Sequence, residues 1–269
     1  MNHGLQRLPL LPLSQRLFRE IHSVLLKDAR GHNRQPGEFR TIQNWIGPSG
    51  CTIEEATFVP PPPQELARVL HDFEKFLNTP TQTPTLIKIG LAHAQFETIH
   101  PFLDGNGRIG RLLVTLLLCE EEILRKPALY ISLYFKQHRA EYYDLLQRTR
   151  DDGDWQAWLK FFLRGVNSVS SDASEVASKI VALRESHRSL ITERLKGRAH
   201  NALLLLEHLF ETPITRVSDA AKQLGVSYPG ANTMVADMVD LGILVETTGH
   251  ARNRAFSYVQ YIKLFAEPR

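Results

Sequence analysis

The 269-residue chain has only two cysteines, Cys51 and Cys119. Two thiols build neither a disulfide framework nor a cysteine-based zinc site, and their scarcity points to a reducing, cytoplasmic setting. No apolar run approaches the ~20 residues that a membrane-spanning helix requires, so no membrane role is expected. The longest candidate, Leu112 to Cys119, runs straight into Glu120, Glu121 and Glu122. The N-terminus lacks the layout of a secretory leader and leads quickly into an amphipathic stretch. Internal repeats and low-complexity tracts are absent. An excess of one charge is also missing: 32 Lys and Arg against 29 Asp and Glu leave a net charge of +3. That balance does not demand a nucleic-acid partner, although it permits local basic faces. What remains is an ordinary globular composition, 43% hydrophobic, with enough chain for one or two cored domains.

The patterning predicts a mainly α protein. A helix is expected over residues 14–27, with Ser14 as N-cap and Leu17, Ile21, Val24 and Leu25 as its apolar stripe. Two β-leaning runs, Phe39 to Ile46 and Thr52 to Val59, flank Gly47-Pro48-Ser49-Gly50 and read as a hairpin over about 38–59, ended by Pro60 to Pro63. Helices follow over about 64–78, 85–99 and 107–123, then two or three more with aromatic anchors. Residues 166–196 read as a polar linker helix. From 197 to 269 the pattern is helix, helix stopped by Gly225, helix stopped by Gly242, then a two-stranded wing, which is the spacing of a small α+β winged helix.

One stretch stands out, His100-Pro-Phe-Leu-Asp-Gly-Asn-Gly-Arg-Ile-Gly-Arg111. Gly105, Gly107 and Gly110 fit the spacing of a dinucleotide fingerprint. That reading fails, because a long apolar helix rather than a strand precedes it and no acidic residue stands about 20 positions downstream on a second strand. A P-loop fails too, since Arg111-Leu112 replaces the Lys-Ser/Thr pair after Gly110. The remaining arrangement is helix, loop, helix. Pro101 ends the first helix at His100. Gly105, Asn106 and Gly107 open the second, where unpaired N–H groups cradle anions. Arg108 and Arg111 share one face of its first turn and suit a polyphosphate. Asp104 alone, with phosphate oxygens, is a fitting ligand set for Mg²⁺. His100 can take a proton from an incoming hydroxyl. These residues point to a Mg²⁺-nucleotide site with a positioned base.

The same string resembles the Fic motif, H-P-F-x-D-G-N-G-R-x-x-R, at every specified position, and the likeness extends over residues 1–165. The resemblance implies a Fic-type helical domain over 1–165 with the 38–59 hairpin as its flap and the motif at 100–111, then the linker and the winged helix. It implies a protein adenylyltransferase that moves AMP from ATP to a Ser, Thr or Tyr hydroxyl of a protein, itself included, and releases pyrophosphate. His100 takes the role of general base. Asp104 takes that of Mg²⁺ ligand, and Gly105, Asn106 and Gly107 form the anion hole. Arg108 and Arg111 bind the phosphates, Phe102 pins the loop, and Tyr142 or Tyr143 stacks on the base. The Doc-type relative has Lys where this chain has Gly107, so Gly107 favours AMP transfer. AMP addition and removal stay open alternatives, as does the target.

Two departures from the family pattern bear on control. An inhibitory [S/T]-x-x-x-E-[G/N] helix is matched only in its first half, at Ser171 to Glu175, before Val176 breaks it. The chain begins where such a helix would end upstream, so restraint in cis is not expected. The base pocket reads Lys136-Gln137-His138-Arg139 where relatives often carry Asn. Partners implied are a protein docked on the flap, DNA through the winged helix, and a second copy of the chain. For DNA, Lys222, Arg252 and Arg254 are the phosphate contacts and Ser227, Tyr228 and Asn232 the base readers, opposed by Asp237 and Asp240. A nucleotide-sensing transcriptional regulator is the competing function.

Overall fold

A computed structural model describes residues 1–27, 35–124, 129–250 and 253–266, and it is mainly helical. The chain divides into two units, Met1–Ser171 and Asp172–Arg269. No helix of the described residues is long and apolar enough to cross a membrane.

The first unit opens with a short helix, α1 (Asn2–Arg7), followed by α2 (Gln15–Leu26). Ser14 caps α2, its hydroxyl accepting from the Leu17 N–H at 3.4 Å. Leu17, Phe18, Ile21 and Leu26 form the buried stripe of α2, while Val24 points outward. A 3₁₀ turn at Pro63–Glu65 leads into α3 (Leu66–Asn78), which buries Leu66, Leu70, Phe73 and Leu77 at helical spacing. α4 (Thr85–Ile99) and α5 (Asn106–Glu120) follow. Both are apolar nearly all round, so they occupy the centre of the unit rather than its surface. Phe18 packs edge-on against Phe96 of α4 at 5.7 Å, tying α2 to the core.

The unit is completed by α6 (Ile131–Gln137), α7 (Arg139–Asp151) and the start of α8 (Trp155–Leu195). Trp158 is fully buried, its indole N–H donating to the Gly90 carbonyl at 2.9 Å. Gly165 lies inside α8 because a Cβ there would stand 2.6 Å from the Tyr134 ring. With no proline between Trp155 and Leu195, α8 continues for 41 residues through the stretch read as a linker.

The 38–59 segment differs from the expected hairpin. Its two runs meet through one bridge, Ile46 with Phe58, whose N–H···O distances are 2.8 and 3.0 Å. Side chains take the places of further ladder bonds. Gln43 Nε2 donates to the Pro60 carbonyl at 2.9 Å, and the Trp45 indole donates to the Cys51 carbonyl at 3.0 Å.

The second unit contains the end of α8, then α9 (Ala199–Glu211), β1 (Ile214–Arg216), α10 (Val217–Leu224), α11 (Tyr228–Asp240), β2 (Val245–Glu246), β3 (Ala255–Ser257) and α12 (Val259–Ala266). Its antiparallel sheet has the order β1-β3-β2, with Ser257 opposite both Ile214 and Val245. Gly225 and Gly242, at φ +63° and +72°, end α10 and α11 in the left-handed region that a residue without Cβ enters freely. Strand β1 and helix α12 lie outside the pattern read from sequence. Of the residues proposed to touch DNA, Arg252 lies outside the described residues.

All three tryptophans, Trp45, Trp155 and Trp158, belong to the first unit, so selectively excited tryptophan fluorescence reports its unfolding. A Cβ on Gly110 would stand 2.3 Å from Glu97 Oε1 between α4 and α5. Gly110→Ala is expected to destabilise this unit by about 1–3 kcal/mol, the usual consequence of overpacking. A lowered midpoint in fluorescence-monitored urea unfolding checks it; an unchanged midpoint contradicts the close approach.

Candidate active site

The site grows from the way α4 ends. His100 closes the helix in the left-handed region, at φ 50° and ψ 58°, with its N–H still bonded to the Phe96 carbonyl at 3.0 Å. The helix stops where Pro101 was expected to stop it, and the left-handed conformation that His100 adopts needs outside support. That support comes from groups distant from the loop in sequence. The Arg40 guanidinium, only 2% exposed, donates to the carbonyls of His100 at 3.0 Å, Ile99 at 3.4 Å, and Pro61. Its own backbone N–H donates to Pro101 O at 2.9 Å. Asn44 Nδ2 donates to Phe102 O at 3.0 Å and His100 O at 3.4 Å. Arg150 Nη2 donates to Glu97 O at 3.2 Å, and His22 Nε2 meets Asp104 O at 2.9 Å. The carbonyls of 97, 99–102 and 104 therefore all have hydrogen-bond partners outside α4.

The motif's own side chains complete the turn. Phe102 is fully buried and stacks on His22 at 3.9 Å between ring centroids. The Asn106 side chain turns inward: its Oδ1 accepts from Phe102 N–H at 2.8 Å and its Nδ2 donates to Phe102 O at 2.7 Å. Gly105, at φ +81°, then starts α5. Among the described residues the backbone N–H groups of Asn106 and Gly107 have no hydrogen-bond partner, which leaves them as donors at a helix start. Asp104 is exposed, with Oδ1 accepting from Gly105 N–H at 2.6 Å and Oδ2 at 3.7 Å from Arg108 Nη2. Arg111 has no carboxylate within ion-pair distance among the described residues.

The His100 imidazole is half-buried. Its Nδ1 lies 3.3 Å from the Glu97 carbonyl, which can only accept, so Nδ1 carries the proton and Nε2 presents a lone pair. Burial pulls its pKa down to about 4, assisted by Arg150 and Arg40 nearby, and the ring is neutral at physiological pH. An uncharged ring with a free nitrogen is a competent proton acceptor.

A cavity of about 490 Å³ adjoins the start of α5. Arg108, Arg111, Lys136, Arg139, Tyr142 and Tyr143 line it, so the two arginines and the two tyrosines of the sequence reading share one space. The tyrosines differ. Tyr142 is buried, its hydroxyl 2.9 Å from His93 Nε2, whereas Tyr143 is 49% exposed with the Arg139 guanidinium 5.6 Å from its ring centre. Tyr143 is the more exposed of the two beside this cavity. His93 Nδ1 meets Gly110 O at 2.9 Å, and no group of three or more potential metal-ligating side chains exists among the described residues.

Sequence reasoning missed His22, Arg40, Asn44, Glu97 and Arg150. A buried arginine reads like a surface one in a single sequence, and each of these is remote from the motif or hidden in a helix pattern. Glu97 is 6% exposed, its Oε1 lacks a hydrogen bond, and burial lifts its pKa to about 7 against the opposing pull of Arg111 and Arg150. A carboxyl that holds its proton more tightly when folded stabilises the fold below its ordinary pKa of 4.5 and loses that contribution as pH rises through about 7. Glu97→Gln removes the titration. The variant's melting temperature relative to wild type is therefore expected to be more favourable at pH 8 than at pH 5. A pH-independent difference contradicts the buried, proton-holding carboxyl.

Residues 12–118 match the Fic/DOC family. A protein adenylyltransferase Fic of Drosophila grimshawi is 36% identical over 128 residues, covering 46% of this chain and 23% of that protein. Its namesake in Aedes aegypti is 35% identical over 146 residues, covering 53% and 25%. The chain thus spans about a quarter of the length of these curated relatives. A crystal structure of a Fic family protein from Desulfovibrio desulfuricans G20 superposes with a TM-score of 0.57 at 18% identity, over 95% of this chain and 72% of that one, a likeness of fold.

Proposed function

We propose that this chain carries a Fic domain and is a protein adenylyltransferase, using ATP to place AMP on a hydroxyl of a protein substrate; the match of residues 12–118 to the Fic/DOC family supports the reading. The observation that carries the reading is the set of groups gathered at the α4–α5 turn: a neutral imidazole with a free Nε2, the unpaired amides of Asn106 and Gly107, Arg108 at 3.7 Å from Asp104, and Arg111 with no carboxylate at ion-pair distance among the described residues. His100 accepts the proton of the target hydroxyl as its oxygen bonds to the α-phosphorus; the bond to the β-phosphate oxygen breaks and pyrophosphate leaves. Arg108, Arg111 and the Asn106 and Gly107 amides receive the phosphate charge, which preorganised donors stabilise more effectively than solvent does. Tyr143 offers its ring to the base.

Mg²⁺ fits here. A single exposed carboxylate, Asp104, stands beside the anion cradle, and Mg²⁺ takes few protein ligands together with phosphate oxygens and water. Asp104 would hold it, and the ion would neutralise phosphate charge. The 38–59 segment, anchored to the loop through Arg40 and Asn44, is where the target would lie.

We read the second unit as a winged helix, with α10 and α11 as the helix pair and β2–β3 as the wing. α11 turns Tyr228 and Thr233 outward together with Asp240, and Arg254 is engaged by Asn232 Oδ1 at 3.4 Å and the Phe256 ring at 5.3 Å. Among the described residues this face lacks the uninterrupted positive charge that a phosphate backbone favours, so the DNA-reading regulator is the weaker reading.

Two outcomes test the enzyme. Mass spectrometry of cell-extract proteins incubated with the protein, ATP and Mg²⁺ is expected to show +AMP adducts that His100→Ala reduces at least ~100-fold, the scale of a lost general base. Undiminished transfer by the variant removes His100 from the role. In wild type the acid limb of the transfer rate that belongs to His100 is expected near pH 4 rather than at the ordinary imidazole value of 6.5. A limb at 6.5 contradicts the buried, neutral ring.

A further inference from the structure

His22, on α2, is 0% exposed and belongs to no part of the motif, yet it joins three separate segments at the proposed site. Its Nδ1 accepts the Gly37 N–H at 2.9 Å, and its Nε2 stands 2.9 Å from the Asp104 carbonyl oxygen. These two bonds fix the tautomer. A backbone N–H can only donate, so Nδ1 is bare; a carbonyl can only accept, so the proton is on Nε2. The ring plane lies within 9° of Phe102, and the position a Cβ on Gly105 would take is 3.4 Å from Nε2. The imidazole thus lies against the peptide unit between Asp104 and Gly105. Across that peptide, the Gly105 N–H holds Asp104 Oδ1 at 2.6 Å, while Gly105 at φ +81° sets the first free amides of α5.

We propose that His22 is a positioning residue: by holding the Asp104 carbonyl it fixes the Asp104–Gly105 peptide, and so aims the carboxylate that would take a divalent cation on a bound triphosphate. The inference rests on the nucleotide-site reading above. The ring's stack on Phe102 fills space, but space filling requires neither nitrogen. The two polar contacts of His22 are separable by substitution. Asn places its amide near Nδ1, able to serve Gly37 but too short for Asp104. Gln extends to the Nε2 position and can still donate to the Asp104 carbonyl. Phe keeps the stack and loses both bonds.

Isothermal titration of the full-length chain with ATP, in Mg²⁺ and in EDTA, separates the roles, with far-UV circular dichroism as the check on folding. His22→Gln is expected to keep the gain in ATP affinity that Mg²⁺ gives wild type. His22→Asn and His22→Phe are expected to lose about tenfold or more of that gain, the scale seen when a group orienting a metal ligand is removed, with little change in EDTA. Equal losses in Asn and Gln, or losses as large in EDTA as in Mg²⁺, overturn the proposal in favour of a packing role. If His22→Phe fails to fold, the Asn and Gln pair decides. Wild type that binds ATP while every His22 variant matches it overturns this proposal alone; wild type that binds no ATP overturns it together with the nucleotide site.

Discussion

The arrangement depends on one buried cation. Arg40 gathers the carbonyls of Ile99, His100 and Pro61 while its own N–H takes that of Pro101, at 2% exposure. Charge-assisted bonds of this kind contribute about 1.5–3 kcal/mol each, enough to hold His100 in a left-handed conformation that a residue with a Cβ seldom adopts. Their directional effect matters more than their sum. Arg40, Asn44 and Arg150 between them hold the carbonyls of residues 97 and 99–102. A loop fixed at so many points keeps its donors preorganised, and preorganised donors are the ones that stabilise developing charge effectively. Burial also accounts for the unusual protonation of the neighbourhood. The environment that depresses His100 to about 4 lifts Glu97 to about 7, so both groups favour their neutral forms beside Arg111 and Arg150.

Much of this was legible in the sequence, for reasons that can be named. The central helices were visible because Leu86, Ile89, Ala92, Phe96 and Ile99 leave α4 almost no polar face, and such a helix belongs in a core. Gly225 and Gly242 marked helix ends because positive φ is cheap only without a Cβ. The 100–111 string carried its chemistry in adjacent residues, and the structure brings its arginines and the 142–143 tyrosines to one cavity. Where sequence reasoning stopped short, the deciding contacts were long-range. Nothing local announces that Arg40 is buried against residue 100 or that His22 reaches residue 104. The hairpin was overdrawn because β-leaning residues were counted without asking which side chains would compete for the backbone, as Gln43 and Trp45 do. β1, at three residues, is too short for any period to register, and α8 ran on because no proline interrupts it and Gly165 is tolerated against Tyr134.

The second unit follows an independent logic. Its core gathers Leu205, Leu206, Met234, Val235, Met238 and Phe256 around Tyr258, whose hydroxyl lies 2.7 Å from His187 Nδ1 on α8. The polar pair is satisfied inside that core, so it adds a specific contact rather than an exposed recognition group. The charged residues it shows are of both signs, in keeping with the small net charge of the chain.

The lone bridge between Ile46 and Phe58 has a consequence for selectivity. A single rung leaves more of the segment's main chain outside regular pairing than a full ladder would, although Gln43 and Trp45 occupy the carbonyls of Pro60 and Cys51. Phe58 is meanwhile pressed against the Arg150 guanidinium, 3.9 Å from its ring centre, so the rung sits on a firm base. A protein target docked on this segment, as proposed above, would be read more through its backbone than through its side chains, so the proposed docking carries breadth rather than sequence discrimination.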